Sequence, residues 1–213
     1  MNKRPFLAAV LAAAVLSSAT FAFADAAAWR IDPAHSEALF SIRHIFTKVQ
    51  GRFNDIGGTI QFDDKDLSKS TVDVTIKSAS VFTNNERRDN HLRSADFFNS
   101  EKDSIITFKS TKVIPAADKK FKVEGDLTMR GMTKPVTLDV EFLGSGAWGM
   151  GGQVRGIKAG WMATTRVNRQ DFGVSWNKTL DQGGTYLGDD VDITLNIEAD
   201  KQDAAQPAAP PKK

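Results

Sequence analysis

The sequence predicts an all-β domain, an antiparallel sandwich or barrel of about eight half-buried strands. Two observations carry this. Short runs of alternating apolar and polar residues recur between residues 29 and 200. Side chains alternate faces along a strand, so each run has one face to bury and one to wet. Long continuous apolar runs of the kind parallel sheets require are missing from the same region.

Lys3 and Arg4 precede an apolar run from Phe6 to Leu16, and Ala22-Phe23-Ala24 has the small-x-small form of a cleavage site. A secretory signal peptide is expected over residues 1–24, with a second candidate cleavage site at Ala26-Ala27-Ala28. Its apolar run is too short for a stable bilayer span. The expected destination is the periplasm, with secretion as the alternative.

The strands follow in order. In Ala38 to Ile45, Phe40, Ile42 and His44 share one parity while Ser41 and Arg43 take the other. Thr59-Ile60-Gln61-Phe62 repeats the pattern, and Asp63-Asp64 ends it. Val72, Val74 and Ile76 alternate with Asp73, Thr75 and Lys77. Ile106 and Phe108 alternate with Thr107 and Lys109, and Phe121, Val123 and Leu127 with Lys122, Glu124 and Asp126. Val136, Leu138, Val140 and Phe142 alternate with Thr137, Asp139 and Glu141. A less regular strand falls within Val154 to Val167, and Val191, Ile193, Leu195 and Ile197 form the last. Thr128 to Pro135 reads as a hairpin tip, with Gly131 supplying the unusual backbone angle. Gly144 to Gly152 reads as a flexible connection.

One segment departs from the pattern. Thr83-Asn84-Asn85-Glu86 matches a capping box, so Arg87 to Ala95 is expected to be a short helix over one end of the β structure. Gln202 to Lys213 is Ala, Pro, Gln and Lys without periodicity and is not expected to fold. The folded domain is therefore placed at residues 25–200 and a disordered tail at 201–213.

Composition excludes several functions. The chain has 28 Lys+Arg against 26 Asp+Glu, and the signal segment holds two of the bases, Lys3 and Arg4, and no acid, so the remainder carries 26 of each. No basic face or stripe is visible, which argues against nucleic acid as a partner. There is no cysteine, so thiol nucleophiles, Cys-type zinc sites and thiol redox chemistry are excluded. No Gly-x-Ser-x-Gly nucleophile motif or phosphate-cradling glycine loop occurs. His35, His44 and His91 are the only histidines and lack metal-ligand spacing, so neither a metal nor a cofactor is expected.

Several blocks together resemble a known family. They are Trp29 to Ser36, Phe40 to His44, Gly51-Arg52-Phe53, Arg88 to Phe98, Ile106 to Ser110, Gly125 to Val136, Arg169 to Gly173 and Gly188 to Val191. In order and spacing they are similar to the YceI-like bacterial proteins, also described as polyisoprenoid-binding or lipocalin-like. The resemblance covers about residues 29–199. It implies an eight-stranded antiparallel lipocalin-like barrel with a short helix near its mouth. It also implies a tunnel-like apolar cavity for a long isoprenoid, an isoprenoid quinone tail or a fatty amide, bound for transport, storage or sequestration.

An eight-stranded barrel can fill its bore with side chains or hold one small ligand. The inward parity names Phe40, Ile42, Phe62, Val74, Ile76, Phe108, Val123, Leu127 and Leu138 either as ligand lining or as packed core. His44 shares that parity and needs a polar partner, from a ligand head or from the protein. Arg87, Arg88, Asp89, His91 and Arg93 form a helical cluster that could hold a polar head; the alternative is local pairing, Arg88 with Asp89 or Asp89 with Arg93. Arg169 is a further head-group candidate, and it is expected to pair with Asp171 and pin a loop. His35 is read as a turn residue. A prenyl-lipid enzyme using His44 or the Arg88–His91 cluster, and a filled barrel serving as an envelope interaction protein, are the alternative functions. A homodimer and transient contact with a membrane surface are left open.

Overall fold

A strand with one apolar face must bury it, and a curled sheet can do so by closing on itself, which also removes its free edges. The chain takes this solution. The computed structural model describes residues 26–202; the expected signal peptide and the tail beyond Gln202 lie outside them. Eleven strand segments pair antiparallel throughout: β1 (Ala27–Ile31), β2 (Glu37–His44), β3 (Thr47–Phe53), β4 (Ile56–Phe62), β5 (Thr71–Lys77), β6 (Val81–Phe82), β7 (Ile105–Pro115), β8 (Lys120–Met129), β9 (Met132–Met150), β10 (Gln153–Asn168) and β11 (Leu187–Lys201). The helix α1 (Glu86–Arg93) lies between β6 and β7.

The eleven segments make eight staves. β1 and β2 both pair with β11, through Ile31↔Ala199 and Glu37↔Asn196, and are halves of one stave broken by the loop after Ile31. β3 and β4 continue one another beside β2 and β1, and β5 and β6 continue one another beside β4 and β3. The staves then follow in chain order to β11, whose pairing with β1 closes the ring. The result is an up-and-down antiparallel barrel of eight staves, in which β11 runs to Lys201, one residue past the expected domain end.

The periodic runs all form strands, but β3 lacks a visible pattern. Its inward positions are Thr47, Val49, Gly51 and Phe53, and Gly51 is directly opposite Phe40 in register. The Phe40 ring lies over that glycine, where any Cβ would collide with it. Gly125 plays the same part for Phe108: a Cβ there would stand 2.5 Å from both the Phe108 ring and the Lys109 carbonyl. Two large rings are thus laid along the wall.

Three expectations are corrected. Gly144 to Gly152 is not a loose connection: β9 and β10 stay paired from Gly160↔Gly144 out to Gln153↔Met150, a ribbon projecting past the end of the barrel. The helix caps on Asn85, whose side chain accepts from the Arg88 amide, and not on Thr83. Arg88 and Arg93 are not paired with Asp89. Arg88 donates to the Thr83 carbonyl and hydroxyl, Arg93 to the Ala79 and Val81 carbonyls, and Asp89 accepts from the Thr83 amide and hydroxyl. These bonds tie the helix to the strand before it. The turn at Arg130-Gly131 has positive φ at both residues, 51° and 71°, as expected for a tight hairpin tip.

An ionic latch spans the closing seam. Lys158 on β10 reaches Asp32 in the β1–β2 loop at 2.8 Å, and Glu198 and Asp200 on β11 at 2.8 and 3.1 Å. Asp32 also accepts from the Ala34 amide and meets His35 Nδ1 at 2.7 Å, which gives His35 its turn role. The hydrogen bond from Lys158 holds the Asp32 carboxyl well below the usual range. Burial works to lower the Lys158 ammonium, but its three carboxylate partners outweigh this and the net shift is upward.

Two predictions follow from these contacts. Gly125→Ala should destabilise the barrel by about 1–3 kcal/mol through overpacking, read as a lower urea midpoint. The latch contributes stability above the ordinary carboxylate pKa of about 4, lost as pH falls through the depressed Asp32 value, and below the ordinary lysine pKa of about 10, lost as pH rises through the elevated Lys158 value. Lys158→Met should therefore lower the melting temperature near neutral pH and blunt the loss of stability below about pH 4; unchanged melting across that range would contradict the assignment.

Candidate ligand cavity

The bore holds two neighbouring chambers, an outer one of about 500 Å³ beneath α1 and an inner one of about 140 Å³. Phe40 and Phe53 border both and form a waist between them, with ring centroids 5.8 Å apart. Phe98, from the segment after α1, packs edge-on against Phe53 at 5.3 Å. Below the waist the walls are almost wholly apolar. The floor is closed by Phe62, stacked among Phe121, Phe142 and Trp161 at 6.2, 4.8 and 5.5 Å.

All nine parity-named residues face this space. Ile42 lines the outer chamber and Phe40 both; Phe62, Val74, Ile76, Phe108, Val123, Leu127 and Leu138 line the inner one. An inner void of about 140 Å³ would cost roughly 3 kcal/mol if left empty, which favours a ligand-holding interior over a filled barrel. An apolar void of this size stays dry and accepts a benzene-sized apolar group.

The outer chamber opens at an aromatic and basic rim. His44 stands edge-on to Tyr186 at 4.5 Å. His91 bonds the Asp96 carboxylate at 2.8 Å and lies edge-on to Phe97 and Trp176, each at 4.9 Å. Arg87 and Arg88 also line the mouth, and Arg87 makes no hydrogen bond or ion pair among the described residues. The sequence-named polar residues His44, Arg88, His91 and Arg169 thus meet at one opening. Asp89 does not: it is 4% exposed and turned to Thr83, so its role is to hold the helix in place.

Arg169 borders the chamber but is already occupied. It is 3% exposed and donates to the carbonyls of Val174, Trp176 and Gly188 and to Asp189 Oδ1 at 3.0 Å. Its ionic partner is Asp189, not the expected Asp171, which is exposed. Burial pulls the guanidinium below its ordinary value, with Asp189 acting against this. The expected loop-pinning role is right in kind, since Arg169 gathers both ends of the 173–186 loop, through Val174 and Trp176 on one side and Gly188 and Asp189 at the start of β11 on the other. That loop supplies Trp176 and Tyr186, rim residues that no periodicity marks. Phe97 and Phe98, which end the Arg88 to Phe98 block, also line the outer chamber.

Among the described residues one trio, Asp32, His35 and Glu198, has metal-ligand spacing. The Lys158 ammonium already bridges both carboxylates at 2.8 Å, so the latch itself supplies the cation.

Comparison with known proteins agrees with this architecture. A UPF0312 protein of Vibrio parahaemolyticus is 40% identical over 184 residues, covering 84% of this chain and 90% of its own. A Campylobacter jejuni YCEI protein of known structure is 32% identical and superimposes with a TM-score of 0.63, over 76% of this chain and 90% of that one. A domain from Saccharophagus degradans, described as polyisoprenoid binding and implicated in plant cell wall breakdown, shares the fold at a TM-score of 0.58 and 12% identity, over 83% of this chain and 99% of that one. The YceI-like domain matches residues 29–199, and the chain belongs to that family.

Proposed function

We propose that the protein binds one long apolar lipid, of the isoprenoid type, with its tail through the waist and its polar end at the rim. The carrying observation is the two-chambered bore, apolar from waist to floor and opening among Arg87, Arg88, His91 and His44. The description of the S. degradans domain supports the same class of ligand. Burying a five-carbon isoprene unit is worth about 4 kcal/mol before the costs of association. A tail filling the inner chamber also removes a void worth about 3 kcal/mol. A few units thus provide affinity with little help from polar contacts.

We favour binding over turnover. Of the residues weighed for acid–base work, Arg88 is committed to Thr83, and His44 meets the Tyr186 ring with no carboxylate to orient it among the described residues. The basic and apolar N-terminal segment supports export, with the periplasm as the place of action and carriage or sequestration of the lipid as its purpose.

Native mass spectrometry of protein purified from its own envelope, followed by solvent extraction, tests this directly. The expected result is a stoichiometric adduct that extracts as a long apolar molecule. A bare mass together with no uptake of added prenyl lipids would overturn the proposal. Val49→Trp gives a second test, because Val49 lines the outer chamber. Filling that space should leave stability unchanged or higher while weakening uptake of a prenyl probe at least about ten-fold. A loss of about 1–3 kcal/mol in stability would instead indicate a packed interior.

A further inference from the structure

Phe46 is 98% exposed, more than any other large apolar residue described. It occupies the tip of the β2–β3 hairpin, in a two-residue turn between the paired His44 and Thr47. The other turn residue, Ile45, has φ of +50°, a left-handed conformation that glycine or asparagine adopts freely and a β-branched residue does not. The turn is nevertheless pinned. The Ile45 amide donates to the Tyr186 carbonyl at 2.9 Å, and the Ile45 carbonyl accepts from Arg43 at 3.1 Å. A strained, tied-down turn thus holds a bare aromatic ring in water, two residues from the cavity-lining His44. Strain kept in this way marks positions under a functional demand.

The surroundings carry several cations, although Arg43 also borders a polar groove in which Lys48 and Arg166 face Asp189, Asp190 and Asp192. Arg43, Arg87 and Lys178 have no carboxylate partner among the described residues; Arg43 bonds Thr185, and Lys178 lies 5.9 Å from the Trp176 ring. Lys48 is paired with Asp192, and Glu86 and Asp181 are the acids adjacent in sequence. An exposed aromatic amid unpaired cations suits the interface of an anionic bilayer, where the ring enters the headgroup–acyl boundary and the bases meet lipid phosphates. We propose that this rim docks the barrel, mouth down, on an anionic membrane surface, with Phe46 as the inserted residue and Arg43, Arg87 and Lys178 on the phosphates. The proposal rests on the reading of the bore as a lipid site: docking in this pose lets an apolar tail pass into the outer chamber without crossing water. The rival exposed surface is the β9–β10 ribbon, with Val154 74% and Met150 69% exposed, but it projects from the opposite end and would point the mouth away from the bilayer.

Sedimentation with phosphatidylglycerol–phosphatidylcholine vesicles, set beside uptake of detergent-dispersed farnesol, separates the two readings. The wild-type protein should bind the anionic vesicles, and bind them less at high salt. Phe46→Ser should weaken vesicle binding about ten-fold or more and leave farnesol uptake unchanged, because Phe46 lies outside the cavity. Lys178→Glu should weaken binding, and Met150→Ser with Val154→Ser should not. Docking is overturned if the wild type ignores the vesicles, if Phe46→Ser binds as well as wild type, or if the ribbon variant is the one that fails. Vesicle binding without farnesol uptake would uphold the docking rim and reject the proposed ligand.

Discussion

Eight staves closed into a ring set the width of the bore, and everything else in the molecule follows from how that width is used. Eight strands leave room for side chains or for one slender ligand, not for both. In the lower half the contest is settled by aromatic rings at the floor. Higher up, Gly51 and Gly125 let Phe40 and Phe108 lie along the wall, where ordinary side chains would push them inward. The cavity is therefore built as much by two missing side chains as by the apolar ones around it.

The mouth depends on a different device. A barrel end is a set of loops, and loops do not hold shape by periodic burial. Here the cationic side chains do that work by reaching backbone carbonyls. Arg169 collects three carbonyls and a carboxylate at the base of the 173–186 loop, Arg88 and Arg93 bind α1 to the preceding strand, and Arg130 donates to the carbonyls of Ala95 and Gly173. Of the arginines facing the outer chamber, Arg87 alone is left uncommitted among the described residues, which separates the charge that shapes the opening from the charge free to meet a ligand.

Much of this was legible beforehand. The parity rule named the inward residues of the periodic strands correctly because alternation is a direct image of one-sided burial. It failed for β3, where Gly51 interrupts the pattern, and for β1, whose five residues are too few to show a period. The ribbon was misread because glycine signals a loop locally, while cross-strand pairing, which keeps it extended, is invisible in a linear chain. Trp176 and Tyr186 sit in a segment with no regular structure, and only Arg169 brings them to the rim. Asp89 was placed with the head-group residues because a buried carboxylate and an exposed one look alike in sequence; its bond to Thr83 depends on how the helix is seated.

The inner chamber has a mechanical consequence. A void that water does not enter disappears when the chain unfolds, and 140 Å³ corresponds to about 80 mL/mol, the same order as the whole volume change of small proteins on unfolding. Without a ligand the barrel should therefore lose more volume on unfolding and yield more readily to hydrostatic pressure. A lipid tail occupying the chamber replaces that space with matter and stiffens the molecule, so loading changes how the protein responds to pressure as well as what it carries.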